Sequence, residues 1–259
     1  GRGAAGRDWL LVADDGGTMD SLATALRARG DRCTLVRAGP AYALHGDDAT
    51  VDLASPYDVR RLLADCRAAG RTVYGVLHAA ALGATPWEAT TPESLAAAKL
   101  GGVASALYVA QGVLGAPAPA PRLWLVTRGA QEADERDGAL DPAHATVWGL
   151  GVALGLEHPD LAAACVDLDP ASPAGDVTAL MAELDGEAGE PRVAYRGGER
   201  RVARLERLRA PRPRASAAPW RLVRDAGGSL DGLHREAMRP LAAPGAGEVE
   251  IAVHASGLN

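Results

Sequence analysis

Residues 144–170, HATVWGLGVALGLEHPDLAAACVDLDP, contain a helix, a stop signal and a buried strand in direct succession. Apolar residues between Ala145 and Leu156 predict a mostly apolar helix, and His158-Pro159 ends it. Residues 163–168 then predict a buried strand. A helix that leads at once into a buried strand is typical of α/β folds, and this unit lies where such folds place an active site.

Three glycines lie within the predicted helix, at positions 149, 151 and 155. Each costs about 1 kcal/mol relative to alanine in a helix interior. They therefore predict that another backbone or a bulky side chain lies close against this helix. An ordinary crowded core helix remains the alternative explanation.

Strands and helices alternate along the rest of the chain. The predicted strands are 9–13, 32–37, 50–53, 72–79, 122–127 and 191–196, and the predicted helices are 18–29, 56–69, 92–114 and 176–184. Ser55 and Thr91 are candidate helix caps, and Leu22, Ala25 and Leu26 are expected to face inward. Residues 201–208 are predicted to pair with 191–196 across a Gly197-Gly198 turn. The alternation predicts a doubly wound, mostly parallel α/β sheet.

A composition change divides the chain. Residues 1–208 form the predicted first domain, and 209–219, RAPRPRASAAP, has the proline content and lack of apolar pattern of a linker. Residues 220–259 predict strands broken by turns. About 40 residues with two or three strands cannot bury a core alone, so they are interpreted as the beginning of a second, β-rich domain.

Composition excludes several classes of function. The formal net charge of −6 argues against a nucleic-acid surface, which needs a basic face. Cys33, Cys66 and Cys165 are isolated and odd in number, which indicates neither disulfides nor a zinc site and favours a reduced, cytoplasmic setting. No apolar run approaches the roughly 20 residues of a membrane span, so no membrane contact is expected. The first residues lack a signal-peptide layout and resemble a cut inside a longer chain.

The turn after the first strand tests for dinucleotide binding. Such sheets hold a pyrophosphate where spaced glycines and a helix amino terminus meet. Here the turn 13–18 reads ADDGGT, with adjacent glycines and two carboxylates, Asp14 and Asp15. A like-charge contact at about 4 Å would cost around 4 kcal/mol at an effective dielectric of 20. A polar turn with a capping carboxylate or threonine is therefore favoured over a cofactor site.

Catalytic groups are missing from the sequence as well. Carbonyl reduction needs a proton donor, usually a tyrosine acidified by a lysine, but the tyrosines at 42, 57, 74, 108 and 195 are followed four residues later by Gly46, Arg61, His78, Gly112 and Glu199. Lys99, the only lysine, is interpreted as a solvated residue. No H-x-x-x-H, H-E-x-x-H or G-x-S-x-G motif occurs, so neither a metal site nor a serine hydrolase is indicated. We predict no catalytic, cofactor-binding or metal-binding residues in this segment.

Several segments together carry a resemblance to a known family. They are VYGVLHAAALG (73–83), AAKLGGVASALYVAQ (97–111), LWLVTRGAQ (123–131), VWGLGVALGLEHP (147–159), VDLDP (166–170) and VAYRGGERRVARLERL (193–208). They resemble the structural subdomain of the ketoreductase of modular type I polyketide synthases, over roughly residues 8–208. The resemblance implies a degenerate, short-chain-dehydrogenase-like Rossmann fold without a complete catalytic set, which braces the catalytic ketoreductase half.

The resemblance also extends to single positions and to the tail. Thr127-Arg128 stands where a catalytic half would show a serine pair, the Trp148-Gly149 helix stands where its tyrosine helix would lie, and Lys99 is similar in place to the family's catalytic lysine. GSLDGL (228–233) and GEVEIAVHASGLN (247–259) resemble the first strands of the enoylreductase of these synthases, a medium-chain-reductase-like domain. The subdomain's usual leading strand segment is missing or cut before Gly1, and the enoylreductase stops before its nucleotide-binding part.

The preferred interpretation is a non-catalytic scaffold in a polyketide synthase. The resemblance implies NADPH as cofactor of the parent module, and the catalytic ketoreductase half, the enoylreductase and the acyl carrier protein of the same module as partners. The alternative is an NADPH-dependent short-chain reductase that acts alone with an aberrant motif. The missing glycine pattern and tyrosine pair count against that alternative.

Overall fold

The computed structural model describes residues 6–85, 89–134, 137, 140–186, 189–207, 220–225, 232–238, 243–249 and 251. The chain forms two compact units, residues 1–204 and 205–259. The predicted linker, 209–219, lies outside the described residues.

A nine-stranded sheet forms the centre of the first unit. Its strands are β1 (Asp8–Val12), β2 (Arg32–Ala38), β3 (Ala43–His45), β4 (Asp48–Val51), β5 (Val73–His78), β6 (Arg122–Arg128), β7 (Ala164–Leu168), β8 (Arg192–Arg196) and β9 (Glu199–Val202). Their order is β3-β4-β2-β1-β5-β6-β7-β8-β9, and the seven strands from β4 to β8 are parallel. The edge strands β3 and β9 are antiparallel. The predicted doubly wound, mostly parallel sheet is confirmed.

Helices cover both faces of this sheet. They are α1 (Thr18–Ala28), α2 (Pro56–Ala68), α3 (Pro92–Lys99), α4 (Ser105–Leu114), α5 (Pro142–Glu157) and α6 (Asp176–Asp185). A π-helical turn, Leu100–Ala104, joins α3 to α4 and makes the continuous helix predicted over 92–114. The helices α1 and α6 bury one face of the sheet, and α2, α4 and α5 bury the other.

Two tryptophans fill the centre of one face. Trp9 and Trp124 are buried with ring centroids 5.6 Å apart. Gly75 lies on the strand between them, and a Cβ there would stand 2.6 Å from Trp124 and 2.7 Å from Trp9. The absence of a side chain at Gly75 therefore leaves room for the two indole rings on this face of the sheet.

Local predictions succeed where a short-range interaction decides them. Thr91 caps α3 as predicted, accepting a hydrogen bond from Ser94 N at 3.2 Å. Ser55 occupies the cap position of α2, and Pro56 the first helical position, but the Ser55 side chain accepts no capping hydrogen bond. In α1, Met19 and Ala23 are buried beside Leu22 and Leu26, whereas Ala25 is only half-buried.

Both antiparallel edge strands differ from the prediction. The predicted pairing strand 201–208 was wrong in its bounds, because β9 begins at Glu199 and ends at Val202. Gly197 and Gly198 both have positive φ, 59° and 79°, so a two-residue turn starts the return strand immediately. Strand β3, which is only three residues long and pairs with β4 across Gly46, was not predicted from the sequence.

The glycines of α5 face in different directions. A Cβ at Gly151 would stand 2.1 Å from Cys165 Sγ and 3.2 Å from Leu125 Cδ1, so this glycine allows close packing on the sheet. At Gly149 and Gly155 an added Cβ meets nothing within 4 Å. The predicted close partner is therefore confirmed at Gly151 and absent, within the described part of the chain, at the other two.

Helix 92–114 has the length and apolar content of a membrane span, contrary to the expectation from its sequence. Three of its side chains, Ala106, Val109 and Val113, are almost fully buried in the core of the first unit. The apolar residues on this inner face of the helix therefore pack in the core of the first unit.

The second unit contains a two-stranded antiparallel ribbon of β10 (Trp220–Arg224) and β11 (Leu233–Ala237). Trp220 pairs with Ala237, and Arg224 pairs with Leu233. Most of the segments 228–233 and 247–259, which carry the enoylreductase resemblance, lie outside the described residues.

Candidate functional site

The turn after β1 closes the place where this fold accepts phosphates. The Asp14 carboxylate, 7 % exposed, accepts hydrogen bonds from the amide nitrogens of Thr18 at 3.1 Å and Met19 at 2.9 Å. These amides belong to the first turn of α1, where free N–H groups and the helix dipole attract anions. The Asp14 carboxylate thus accepts hydrogen bonds from the N–H groups that a pyrophosphate would use. This agrees with the predicted polar turn in which a carboxylate caps the helix.

The second carboxylate of the turn lines a small cavity at the same edge. Asp15 Oδ2 lies 3.1 Å from the position of a Cβ at Gly83, and the cavity has a volume of about 250 Å³. Apart from Asp15, Ser94 and Thr85, its lining consists of alanine and glycine. The negative charge of Asp15, in addition to that of Asp14, therefore repels a phosphate at this edge of the sheet.

A buried histidine ends β5 beside this cleft. His78 is fully buried, and its Nε2 lies 2.7 Å from Ser105 Oγ. The Ser105 hydroxyl donates to the carbonyls of Gly101 and Gly102 in the π-helical turn, so the histidine ring donates from Nε2. Its Nδ1 has no hydrogen-bond partner among the described residues. Burial lowers the pKa of His78 to about 4, so the ring is neutral and tied to structure.

The end of β6 is held by a buried carboxylate on the neighbouring strand. Thr127 Oγ1 donates to Asp167 Oδ1 at 2.7 Å, and the amide of Ala130 donates to the same oxygen at 2.9 Å. Arg196 Nη2 lies 2.8 Å from Asp167 Oδ2. Asp167 is fully buried and Arg196 nearly so, while Arg196 Nε pairs with Asp137 at 2.8 Å. Thr127 is therefore part of a closed polar network and does not face a substrate cleft.

Arg128 is engaged in the same way. Its amide donates to His144 Nδ1 at 2.8 Å, and its guanidinium contacts Asp176 and the carbonyl of Asp169. Burial lowers the pKa of His144 and raises the pKa of Asp176, in the latter case against the opposing effect of Arg128. The Thr127-Arg128 pair thus joins β6 to α5, β7 and α6.

Lys99 and three of the five tyrosines lie in different elements or loops of the first unit. Lys99 is exposed at the end of α3 and, among the described residues, forms no ion pair. The Tyr42 hydroxyl donates to Asp65 and the Tyr195 hydroxyl to Glu183, while Tyr57 is 75 % exposed. No metal-binding cluster of His, Cys, Asp or Glu occurs in the described ranges.

The network of Asp167, Arg196 and Asp137 was not predicted from the sequence. An aspartate inside the otherwise apolar run ACVDL and an arginine at the end of the strand RVAYR were its only signals. A charge placed in a strand buried on both faces requires a partner. The partner's identity depends on strand order, which the sequence alone does not give.

Fold and strand-end geometry together define a doubly wound, short-chain-dehydrogenase-like Rossmann domain. Residues 8–205 match the family described as "Polyketide synthase extender module SpnB, Rossmann fold domain", and the chain belongs to this family. The comparison supports the predicted ketoreductase-like Rossmann domain of a modular polyketide synthase.

Similar proteins are much longer polyketide synthases. The chain is 31 % identical over 218 residues to "Pikromycin polyketide synthase component PikAII" of Streptomyces venezuelae, covering 82 % of this chain and 6 % of that protein. It is 39 % identical over 143 residues to "Spectinabilin polyketide synthase system protein NorB" of Streptomyces orinoci, covering 53 % of this chain and 6 % of that one. The aligned part is thus about 6 % of the length of these relatives.

Solved structures agree in fold. "The Structure of a C2-type Ketoreductase from a Modular Polyketide Synthase" is similar with a TM-score of 0.59 and 24 % identity, covering 83 % of this chain and 43 % of that one. "The Crystal Structure of a Short-chain Dehydrogenase from Streptomyces avermitilis to 2A" has a TM-score of 0.53 and 16 % identity, covering 74 % of this chain and 89 % of that one. At these identities the likeness establishes the fold.

Proposed function

We propose that residues 1–208 are the non-catalytic structural subdomain of a polyketide synthase ketoreductase. In this proposal the domain braces the catalytic ketoreductase half and leads, through 209–219, into an enoylreductase that begins at residue 220. An acyl carrier protein of the same module brings the thioester substrates to these enzymes. The parent module uses NADPH and works in the cytoplasm.

One observation carries the proposal: the Asp14 carboxylate occupies the amino terminus of α1. Its two hydrogen bonds, from Thr18 N and Met19 N, satisfy donors that a nucleotide phosphate needs. The adjacent Asp15 adds a second negative charge. The reducing cofactor of a short-chain reductase would therefore meet two carboxylates where it needs free N–H groups.

The rival proposal, an independently acting NADPH-dependent reductase, finds little support in the described residues. Thr127 donates to the buried Asp167, and Lys99 is exposed at the end of α3. Partial burial, and then a hydrogen bond from the hydroxyl to a carboxylate, raise the pKa of Tyr42 and Tyr195. A proton donor for carbonyl reduction needs the opposite shift.

NADPH binding decides between the two. We expect calorimetric titration of the 259-residue chain with NADPH to give no binding heat, while a catalytic ketoreductase domain under the same conditions gives a measurable isotherm. The physical reason is the filled phosphate position at Asp14. A dissociation constant in the low micromolar range, about −8 kcal/mol, would reject the scaffold proposal.

The outer face of helix 92–114 and α5 is the best-supported position for the bracing contact. Leu100 is 61 % exposed, Leu107 38 % and Leu156 80 %. Gly149 and Gly155 lie on α5, as Leu156 does, and an added Cβ at either glycine would meet nothing within 4 Å. Exposed apolar side chains beside glycines that admit a close approach are typical of a surface that another protein covers.

Added bulk on this face tests the contact. We expect Gly155→Leu to leave the fold intact, since an added Cβ there meets nothing within 4 Å, and to weaken association with the separately expressed catalytic half about tenfold or more. Gly175→Leu is the matched control, because an added Cβ at this position also meets nothing within 4 Å but lies before α6, which covers the opposite face of the sheet. Binding would be measured by titration and folding by circular dichroism. Equal binding of both variants and the parent would place the bracing contact elsewhere.

A further inference from the structure

A cavity of about 410 Å³ opens at the amino-terminal edge of the sheet, opposite to the strand ends that form the candidate site. It lies between α2, the carboxyl-terminal end of α4 and the segments that lead into β5 and β6. Its lining is mostly apolar and includes Leu63, Val73, Ala116, Pro117, Pro119 and Pro121. Small-molecule sites in proteins are concave, largely apolar and of roughly 300–1,000 Å³.

Three arginines line this cavity, and one of them is already neutralised. Arg71 is 8 % exposed, and its Nε lies 3.2 Å from Asp8 Oδ1. Its Nη1 lies 3.4 Å from Asp47 Oδ1, and its Nη2 donates to Thr34 Oγ1 at 2.9 Å. The charge of Arg71 is therefore compensated within the protein.

The other two, Arg60 and Arg67, are exposed on α2. Among the described residues neither forms an ion pair with a carboxylate. Arg67 Nη2 donates to the carbonyl of Pro117 at 2.8 Å. Arg60 lies across the end of α4, with its Nε 3.0 Å from the position of a Cβ at Gly115.

The partial negative charges of the helix ends compensate only part of the positive charge of Arg60 and Arg67. The carboxyl termini of α2 and α4 each carry about half a negative elementary charge, which favours one cation between them. Arg67 lies in the last turn of α2, but Arg60 lies in its first half. Two full guanidinium charges exceed the two partial ones, so the mouth of the cavity keeps a positive potential.

We propose that this cavity binds an amphiphilic organic anion, a carboxylate or phosphate monoester with a hydrocarbon chain. Arg60 and Arg67 hold the headgroup, because guanidinium groups match carboxylate and phosphate oxygens in geometry and charge. The chain lies on the apolar lining between Leu63, Val73 and the prolines. This site lies at the edge of the sheet opposite to the phosphate position of the fold and stands whether or not the domain is catalytic.

The probes are octanoate, octyl phosphate, octanol and inorganic phosphate, titrated into the full 259-residue chain by calorimetry. We expect octanoate or octyl phosphate to bind, and the stronger of the two identifies the headgroup. Octanol lacks the anionic headgroup and inorganic phosphate lacks the hydrocarbon chain, so we expect each to bind at least tenfold more weakly. Octanol binding as tightly as both anions, or no binding of either anion at millimolar concentration, would overturn the proposal.

Variants locate the binding in the cavity. The double variant Arg60→Gln, Arg67→Gln is expected to weaken anion binding at least tenfold. Arg192→Gln is the matched control, since Arg192 is exposed, lies outside this cavity and, in the described ranges, has no ion-pair partner. Ala64→Leu, at an exposed lining position of α2, should reduce binding by filling the cavity. Equal loss in Arg192→Gln, or none in the double variant and Ala64→Leu, would show that the anion binds elsewhere.

Discussion

At the scale of single residues, polar side chains at the strand ends bind one another. His78 contacts Ser105, and Thr127 and Arg196 both contact Asp167. Buried polar groups of this kind are costly without partners and give the surrounding backbone one arrangement when paired. At this edge of the sheet the contacts join β5 to α4, β6 to β7, and β7 to β8.

The buried His78 predicts a specific acid sensitivity. Burial lowers its pKa to about 4 in the folded protein, whereas an unfolded histidine titrates near 6.5. The unfolded state therefore binds the proton first as the pH falls. The contribution of neutral His78 to the free energy of unfolding is complete above pH 6.5 and is lost as the pH falls toward 4. The loss is up to about 3 kcal/mol, at 1.4 kcal/mol for each pKa unit.

Urea unfolding at a series of pH values between 7.5 and 4.5 measures this loss. We expect His78→Gln to remove a large part of this loss, whatever its stability at neutral pH, while His144, whose pKa burial also lowers, keeps its own contribution. His158→Gln, at an exposed histidine after α5, is the control and should retain the whole loss. Parallel profiles for the parent and His78→Gln would show that other groups cause the acid sensitivity.

At the scale of the elements, the sequence predicts most of the first unit because local signals decide it. The apolar run of α5, the stop at His158-Pro159 and the cap at Thr91 all appear where expected. The short strand β3 and the start of β9 depend on glycine turns with positive φ, which composition does not locate to a single residue. The hydrogen bonds of Asp14 to the first turn of α1 were predictable from the sequence, since its partners lie four and five residues away.

The polar network could not be predicted in this way. Thr127 and Asp167 are 40 positions apart, and Asp167 and Arg196 are 29 apart. They meet only because β6, β7 and β8 are neighbours in the sheet. Contacts of this kind follow from strand order, which a single sequence does not specify.

Helix α5 offers a matched pair of substitutions at its glycines. Gly151→Ala places a methyl group 2.1 Å from Cys165 Sγ and should destabilise the protein by about 1–3 kcal/mol through overpacking. Gly155→Ala meets open space and should stabilise it by up to about 1 kcal/mol, because alanine is the better helix former. Thermal and urea unfolding of the two variants measures both values. Stabilisation by both substitutions would mean that helix propensity, and not contact with the sheet, controls position 151.

At the scale of the whole molecule, the core lies in one unit. Every buried apolar side chain among the described residues falls between Trp9 and Tyr195. The second unit contributes a two-stranded ribbon in which Leu222 is 48 % exposed. A two-stranded ribbon is marginally stable at best without a partner surface.

Shortening the chain tests this division. A variant of residues 1–207 should unfold with the same midpoint as the full chain, within about 2 °C, because it keeps every described core side chain. Near-ultraviolet circular dichroism follows the buried Trp9 and Trp124 of the first unit directly.

The control is a variant of residues 1–190, which lacks β8 and β9 and with them Arg196, the partner of the buried Asp167. Loss of that partner leaves a buried carboxylate unpaired and should prevent cooperative unfolding of the first unit, since breaking one such pair costs about 3–5 kcal/mol. A midpoint for residues 1–207 that falls by more than about 4 °C would mean that residues 208–259 stabilise the first unit.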